Sequence, residues 1–280
     1  MTGIEQDAKA QRIAKVMARA GVCSRREAER IIAEGRVSVN GVRVETPATL
    51  VKKSDVIAVD GTRIAEAAPS RLFRYHKPRG LVTSARDEKG RDTLFDHLPP
   101  ERPRLISVGR LDINSEGLLL LTNDGALKRQ LELPSSGMLR RYRVRVHGDA
   151  TEQTLKPLQQ GIVVDRIAYQ PMLVTIDRIQ GTNAWLSVGL REGKNREIRK
   201  AMEAVGLTVS RLIRIAYGPF KLGTLPLNGI EEVRAKTLQE TLKETLKETL
   251  GADGETPAQR QRKERGKTAI LKRSVPTKRR

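Results

Sequence analysis

The sequence predicts an α+β protein in which a small module precedes a larger body that is rich in strands. Apolar side chains in residues 13–20 recur at the spacing of an amphipathic helix. In residues 141–146 apolar and charged side chains alternate, which is typical of a strand with one buried face. Residues 118–121 are four consecutive leucines, a pattern that indicates a strand buried on both faces. Helices near the N-terminus followed by a strand-rich region therefore predict an α+β fold.

Changes in composition divide the 280 residues into domains and connecting segments. Residues 65–70 are small, polar and proline-containing, which favours a linker. Leucine recurs every fourth residue over 238–250, so a helix there either packs on the body or stands alone. After residue 250, ten Lys or Arg against three Asp or Glu predict a disordered arm. The predicted segments are a flexible N-terminus (1–10), a first domain (11–66), a linker (67–70), a second domain (71–234), a repetitive helix (235–250) and a disordered basic tail (251–280).

The charge balance indicates a polyanionic partner. The chain carries 53 Lys and Arg against 33 Asp and Glu, a net charge of +20, which is the electrostatic footprint of a nucleic-acid-binding protein. No stretch approaches the roughly 18 apolar residues of a membrane-spanning helix, and the N-terminus lacks the pattern of a signal peptide. We therefore expect a soluble, cytoplasmic monomer with no membrane partner.

Signatures of cofactor and metal binding are missing from the sequence. Cys23 is the only cysteine, which excludes an intramolecular disulfide and argues against a cysteine-based zinc site. The sequence has no dinucleotide-binding fingerprint, no Walker loop and no cluster of His and Cys ligands. We expect neither a cofactor nor a metal.

The first domain is predicted to contain two helices followed by hairpins. Ser24 and Glu27 have the spacing of a capping box, which predicts the start of the second helix. Gly35 is expected to end that helix. Asn40-Gly41 lies between alternating valines and predicts a tight hairpin turn, because both residues tolerate positive φ. A second hairpin is expected around Asp60-Gly61.

This order of elements, with the segments at 24–32 and 35–41, resembles an S4 RNA-binding domain. The resemblance implies docking on folded RNA through its shape and its phosphates, contacts that position more than they specify. A solvated surface position is at least as common for a single arginine as a phosphate contact, but the cluster favours RNA. The arginines expected to contact RNA are Arg19, Arg25, Arg26, Arg30, Arg36 and Arg43.

A glycine-flanked loop in the second domain carries the most informative acid. Asp112 follows a short predicted strand at 106–108 and precedes the leucine run. An Asp in such a loop often closes a turn through its own side chain, and spacing alone favours that interpretation. Asp124, directly before Gly125, is interpreted as a turn or N-cap residue.

Gly-Arg-Leu-Asp at 109–112, followed by Ser-Glu-Gly-Leu-Leu-Leu-Leu-Thr-Asn-Asp-Gly at 115–125, resembles the central motif of the RsuA/RluB family of pseudouridine synthases. The resemblance implies a mixed, mainly antiparallel sheet flanked by helices. It also implies that Asp112 is the catalytic residue.

Two further segments resemble motifs of the same family, in family order. Lys77-Pro78-x-Gly80, followed by Val82-Thr83-Ser84, is similar to the first motif, with predicted strands at 72–75 and 81–84. The family more often has Asn where His76 stands, and we interpret His76 as a surface or hydrogen-bonded residue. The segment 193–200 is similar to the third motif.

The resemblance implies that Tyr142 lies against the target base and that Arg199 pairs with the catalytic carboxylate. A core tyrosine and a surface salt bridge are the simpler interpretations of these two residues. Further RNA contacts in this domain are expected from Lys77, Arg110, Arg141, Arg143, Lys194, Arg196 and Lys200.

The leading hypothesis is that the chain isomerises one uridine of ribosomal RNA to pseudouridine, with large-subunit (23S) rRNA or its precursor as the partner. A small-subunit (16S) enzyme and a non-catalytic ribosome-assembly factor are the alternatives. A methyltransferase with an S4 domain would need a cofactor loop that the sequence lacks.

Overall fold

The computed structural model describes residues 10–85, 87–133 and 136–250, with side chains up to residue 243. The predictions for residues 1–9 and for the basic tail lie outside this range. The described chain divides into two compact units. One contains the residues up to 71 together with 100–106 and 122–125, and the other contains the rest.

The first unit combines two helices with short strands. Its helices are α1 (Ile13–Arg19) and α2 (Arg25–Ala33). Its strands are β1 (Gln11–Arg12), β2 (Val37–Val39), β3 (Val42–Arg43), β4 (Leu50–Val51), β5 (Ile57–Val59) and β6 (Thr62–Arg63). Four of them form an antiparallel sheet in the order β3-β2-β5-β6, and β1 pairs with β4.

Local sequence signals account for this unit. The Ser24 side chain accepts the Glu27 amide at 3.1 Å and starts α2. Asn40 and Gly41 adopt φ values of 52° and 82° in the turn between β2 and β3, as the predicted hairpin requires. The apolar faces of α1 and α2 then form a core with the strands, including the fully buried Met17.

The second unit is built on a large sheet flanked by helices. Its helices are α3 (Gly125–Glu132), α4 (Glu152–Gln160), α5 (Glu197–Ala204) and α6 (Ala235–Leu250), with a 3-10 turn at Leu94–His97. The strands are β7 (Leu72–Lys77), β8 (Ile106–Val108), β9 (Glu116–Thr122), β10 (Arg140–His147), β11 (Ile162–Val164), β12 (Ile167–Tyr169), β13 (Leu173–Gln180), β14 (Asn183–Leu190), β15 (Thr208–Tyr217), β16 (Phe220–Lys221) and β17 (Ile230–Glu232).

Nine of these strands form one mixed sheet. Its main order is β13-β14-β10-β15-β9-β7-β17, with β16 beside β15 and β8 beside β9. Strand β15 is parallel to β9 but antiparallel to β10 and β16. The α+β class and the mixed, mainly antiparallel sheet are confirmed.

Strands β9 and β10 have the burial that their patterns predict. Every residue of β9 is buried. Along β10, Tyr142, Val144 and Val146 are buried, whereas the arginines between them are exposed. Tyr142 and those arginines therefore face opposite sides of the sheet.

The predicted strand at 81–84 is wrong. Only Val82 forms a bridge, with Thr93. The neighbouring Thr83 side chain instead donates to the main-chain oxygen of Leu111 at 2.7 Å and accepts the Leu111 amide. Main-chain pairing is limited to this one bridge, in which the Val82 amide donates to the main-chain oxygen of Asp92 at 2.9 Å and the Leu94 amide donates to that of Val82 at 3.0 Å.

Helix α6 packs against the body over its first turns. Leu238 is buried in a core cluster that includes leucines of β7 and β9, and Leu242 packs against the same cluster. The side chains of Leu246 and Leu250 lie outside the described residues. In the part of the chain that the structure describes, no helix is long and apolar enough to cross a membrane.

Candidate active site

A cleft of about 460 Å³ in the second unit brings the predicted motifs together. Asp112 lines it from the loop before β9, Tyr142 from β10, and residues 193–198 from the start of α5. Six cationic side chains face three carboxyl groups, so the cleft suits an anionic ligand. The charged residues that line it are Arg110, Asp112, Lys128, Glu132, Arg140, Lys194, Arg196, Glu197 and Arg214.

The Asp112 carboxylate does not serve the turn in which Asp112 lies. The turn is closed by the main chain, since the Ser115 amide donates to the main-chain oxygen of Asp112 at 2.9 Å. Among the described residues, no hydrogen bond or ion pair reaches the Asp112 carboxylate, which is half-buried and lines the cleft. The structural interpretation of Asp112, a side chain that closes its own turn, is therefore wrong.

Lys77 holds this loop in place through hydrogen bonds to its main chain. Its Nζ donates to the main-chain oxygens of Pro78, Asp112 and Ser115 at 3.0, 3.3 and 3.1 Å. Three carbonyls match the three donors of an ammonium group. Burial lowers the pKa of Lys77 to about 8, although Asp112 and Glu116 oppose that shift. The prediction that Lys77 contacts RNA is wrong, because the side chain is fully buried.

Further contacts fix the loop from both sides. The Gly80 amide donates to the main-chain oxygen of Ile113 at 2.8 Å. From α3, Glu132 accepts the Gly109 amide at 2.5 Å. Lys128 donates to the main-chain oxygen of Ser107 at 2.6 Å and to Glu132 at 2.5 Å. Helix α3 thus clamps the chain on the approach to Asp112, a contribution that sequence reasoning missed.

Tyr142 is 8% exposed and lies in the cleft wall. Arg140, two residues before Tyr142 on β10, also lines the cleft and donates to the Tyr217 hydroxyl at 3.0 Å. Its guanidinium lies 4.8 Å from the Tyr217 ring centroid. Because alternate residues of a strand face the same side of the sheet, the spacing of Arg140 from Tyr142 could have identified Arg140 as a residue of the cleft.

Arg199 reaches the Asp112 loop but binds its main chain. Its guanidinium donates to the oxygens of Asn114 at 2.9 Å and Val209 at 3.1 Å. Burial lowers the pKa of Arg199, Arg196 lowers it further, and Asp112 raises it. The structure therefore places Arg199 within electrostatic reach of Asp112 without a direct ion pair.

Arg214 is a second buried guanidinium in this region, and sequence reasoning did not select it. It is 3% exposed and lines the cleft. Its Nε donates to the main-chain oxygen of Leu118 at 2.7 Å, whereas its Nη2 is buried and has no hydrogen-bond partner among the described residues. The available signal was a charged residue flanked by Ile213 and Ile215 in the apolar second half of the strand.

The segment before α5 is held by a buried acid. Glu197 accepts the Lys194 amide at 2.9 Å. Burial raises the pKa of Glu197 to about 7, and the neighbouring Glu192 adds to the shift. Arg196, at the helix start, adopts a left-handed φ of 51° and is exposed at the cleft. Lys194 forms an ion pair with Glu192 at 2.6 Å.

The remaining basic candidates fall into separate places. Arg110, Lys194 and Arg196 line the cleft. Arg141 and Arg143 are on the opposite face of the sheet, and Lys200 pairs with Asp165 at 3.9 Å.

In the first unit, the arginine cluster is only partly free. Arg25, Arg26 and Arg43 are exposed and form no ion pair among the described residues. Arg30 pairs with Glu27 and Glu34, and Arg36 pairs with Asp60 and Glu34. Arg19 donates to the Ser70 hydroxyl at 3.2 Å and lies 3.6 Å from the Asp124 carboxylate.

Two residues with simpler predicted roles are also placed. Asp124 directly precedes α3, at the predicted turn position. The His76 ring bonds the main-chain oxygen of Leu225 through Nδ1 at 2.8 Å, which agrees with a hydrogen-bonded histidine. Among the residues that the structure describes, no group of three or more His, Cys, Asp or Glu side chains could hold a metal ion.

Comparisons with known proteins match both parts of the chain. Residues 71–204 match the family model described as RNA pseudouridylate synthase, and residues 11–57 match the S4 domain. An uncharacterized RNA pseudouridine synthase of Rickettsia bellii is 49% identical over 226 residues, which are 81% of this chain and 98% of the relative. A ribosomal large subunit pseudouridine synthase B of Yersinia pestis is 41% identical over 238 residues, 81% of this chain and 73% of the relative.

Among solved structures, a crystal structure of a pseudouridylate synthase matches with a TM-score of 0.58 at 22% identity, over 82% of this chain and 99% of that chain. This likeness shows the fold. The matches place the chain among RNA-modifying enzymes that carry an S4 domain. More narrowly, the chain belongs to the RNA pseudouridine synthase family.

Proposed function

We propose that this enzyme isomerises one uridine of large-subunit ribosomal RNA, or of its precursor, to pseudouridine, with Asp112 as the catalytic residue. The observation that carries the proposal is a carboxylate without an internal hydrogen-bond or ion-pair partner in a cationic cleft. The name of the Yersinia pestis relative supports the choice of large-subunit rRNA. Such a substrate places the enzyme in the cytoplasm, where ribosomes are assembled.

The reaction is an isomerisation and needs no oxidant or reductant. The bond between N1 of uracil and C1′ of the ribose breaks, the uracil rotates, and a bond forms between C5 and C1′. The proton on C5 is lost to solvent and N1 gains one, so the atoms balance. Asp112 acts either as the nucleophile at the ribose or as the base that takes the C2′ proton; both roles require the ionised carboxylate.

The loop architecture suits either role. Hydrogen bonds from Lys77, Arg199 and Ser115 go to main-chain oxygens of residues 112–115, so they fix the backbone and leave the carboxylate free. A preorganised group loses no free energy to reordering when the substrate binds. The positive charge of Arg199, which lies within electrostatic reach of Asp112, opposes the cost of desolvating an ionised Asp112.

The target uridine must leave its stack to reach the cleft, which costs a few kcal/mol and less in a loop or bulge. Tyr142 supplies an aromatic surface, and stacking of a base on such a ring contributes about 1 to 3 kcal/mol. Arg110, Lys194 and Arg196 are exposed at the cleft and are positioned to bind the flanking phosphates. Arg25, Arg26 and Arg43 of the S4 domain supply further phosphate contacts.

Mapping of pseudouridines in rRNA tests the proposal. A strain of the source organism that lacks the protein should lose pseudouridine at one position of large-subunit rRNA. Wild-type protein should restore it, and Asp112→Asn should not. Loss confined to small-subunit rRNA would assign the alternative substrate. Unchanged pseudouridines, or restoration by Asp112→Asn, would favour a ribosome-assembly factor and overturn the proposal.

A further inference from the structure

The outer face of strands β13, β14, β10 and β15 carries a second cationic surface. Register places Arg178 of β13 opposite Trp185 of β14, Trp185 opposite Arg145 of β10, and Arg145 opposite Arg211 of β15. Directly opposed residues project from the same face of a sheet. Arg143 lies two residues before Arg145 on β10, on the same face, and is also exposed. We call Arg143, Arg145, Arg178, Arg211 and Trp185 the outer-face cluster.

This cluster is separate from the catalytic cleft. The residues that alternate with its members on β10 and β15 include Tyr142, Leu212 and Arg214, and all three line the cleft. Because alternate residues face opposite sides of a sheet, an RNA segment on the cluster cannot be the nucleotide in the cleft.

Charge on the cluster is incompletely balanced. Arg143 lies 3.8 Å from the Asp177 carboxylate, and Arg211 bonds Glu116 at 2.5 Å. Among the described residues, Arg145 and Arg178 have no ion-pair partner, and both are exposed. Arg145 and Arg211 are also directly opposed, and like charges in that arrangement destabilise a sheet. A local cost of this kind is expected where the residues serve binding.

The aromatic member gives the surface its chemical character. Trp185 is the only tryptophan of the chain and is half-buried. The Arg143 guanidinium lies over its ring, 4.9 Å from the centroid. Arginines around an aromatic ring that is partly open to solvent are the combination that binds single-stranded RNA, since phosphates contact the cations and bases stack on the ring.

We propose that the outer-face cluster binds a single-stranded segment of the RNA substrate, away from the target uridine. An acidic protein is the less favoured occupant, because the face offers one aromatic ring and one exposed leucine, Leu173, whereas stable protein interfaces have a larger apolar core. The inference rests on the proposed function only in taking the bound RNA to be the substrate.

Fluorescence tests the inference, since Trp185 is the only tryptophan and reports on this face alone. Titration of the full chain with a 20-nucleotide single-stranded RNA should quench its emission saturably. Asp112→Asn should show the same quenching, so a failure of the catalytic proposal is distinguishable from a failure of this one. Polyglutamate should leave the emission unchanged.

A triple variant, Arg143→Gln, Arg145→Gln and Arg178→Gln, distinguishes RNA binding by the cluster from the effect of the protein's overall positive charge. Loss of three phosphate contacts should lower RNA affinity about tenfold or more near 0.1 M salt and reduce the salt slope by about 2. Filter binding measures this without relying on Trp185. Lys156→Gln, Lys221→Gln and Lys236→Gln form the matched control, because these exposed lysines lie elsewhere on the second unit and remove the same charge.

Circular dichroism spectra of both variants, compared with that of the wild type, check that they fold. The control should lose no more than about threefold in affinity, as expected for screened, distant charges. Equal losses in the two variants, or RNA that leaves Trp185 emission unchanged, would overturn the inference. Quenching by polyglutamate but not by RNA would assign the face to an acidic protein and overturn it as well.

Discussion

The Lys77 ammonium donates to the main-chain oxygen of Asp112 over 3.3 Å, which ties the loop that carries Asp112 to the end of strand β7. Two more carbonyls, of Pro78 and Ser115, share the same ammonium. The contact holds the Asp112 backbone and leaves its carboxylate free. A buried cation thus positions the residue that we place at the centre of the reaction.

Replacement of this lysine should cost both stability and activity. Lys77→Met removes the ammonium donor from three carbonyls, of which that of Asp112 keeps the Ser115 amide while those of Pro78 and Ser115 lose their bond to Lys77. Each buried unsatisfied group costs about 1 to 3 kcal/mol. We expect the free energy of unfolding in urea to fall by about 3 kcal/mol and the kcat of the folded fraction to fall as well. Lys89→Met, at an exposed lysine of the same domain, is the control. Equal unfolding midpoints for the two variants would contradict the role of Lys77.

The hydrogen bond between the Gly109 amide and Glu132 of α3, here called the α3 clamp, should affect turnover more than substrate binding. Glu132→Ala frees the Gly109 amide, so the loop that carries Asp112 loses one of its supports. Small misplacements of a reacting group cost up to about a hundredfold in rate. We expect kcat to fall at least about tenfold with little change in KM. Glu132→Gln retains an acceptor oxygen and should stay close to wild type; identical kinetics for the Ala and Gln variants would remove the clamp from the mechanism.

Glu197 should make stability depend on pH. Its pKa is raised from 4.5 to about 7 in the folded protein, so the folded state holds this proton more tightly than the unfolded chain does. The contribution to stability is full below about pH 4.5 and is lost as the pH rises through about 7. Glu197→Gln carries no charge and retains an acceptor for the Lys194 amide.

The Tm of the wild type should therefore fall relative to that of Glu197→Gln as the pH rises from about 5 to about 8. Thermal unfolding at several pH values measures this difference. Glu203→Gln, at an exposed position of the same helix, should follow the wild type. Parallel Tm curves for the wild type and Glu197→Gln would show that Glu197 titrates normally.

Removal of the basic tail should weaken RNA binding. Residues 251–280 contain ten Lys or Arg and three Asp or Glu, and a segment of this charge binds phosphates through counterion release. A chain that ends at residue 250 should bind rRNA less tightly, with a shallower salt dependence and an unchanged Tm. Filter-binding titrations at several salt concentrations measure both quantities. The same affinity and slope as the full chain would contradict the prediction.

Local patterns were sufficient to predict much of the fold. The Ser24 cap, the Asn40-Gly41 turn, the buried leucines of β9 and the alternation of β10 each depend on a few neighbouring residues. The predicted strand at 81–84 is wrong because its main-chain pairing is confined to one bridge, between Val82 and Thr93, and the Thr83 side chain binds Leu111, which is distant in sequence. The family motifs identified Asp112 and Tyr142, and the structure places both in one cleft.

Long-range contacts explain what the sequence could not show. The burial of Lys77 depends on carbonyls 35 and 38 residues away, so its charge alone suggested an RNA contact. Arg214 is fixed by the Leu118 carbonyl on β9, 96 residues away in sequence. Glu132 accepts a hydrogen bond from the main-chain amide of Gly109, which is 23 residues away. A side-chain motif cannot predict a bond to a main-chain amide.

The most direct test of the account is tritium release from rRNA that carries 5-tritiated uridine. Formation of the bond between C5 and C1′ expels the tritium, so release measures the proposed isomerisation itself. Wild-type enzyme and Asp124→Asn, which changes the other aspartate of the same motif, should both release it from large-subunit rRNA, whereas Asp112→Asn should release none. Release by Asp112→Asn at the wild-type rate would contradict the central role of the Asp112 carboxylate.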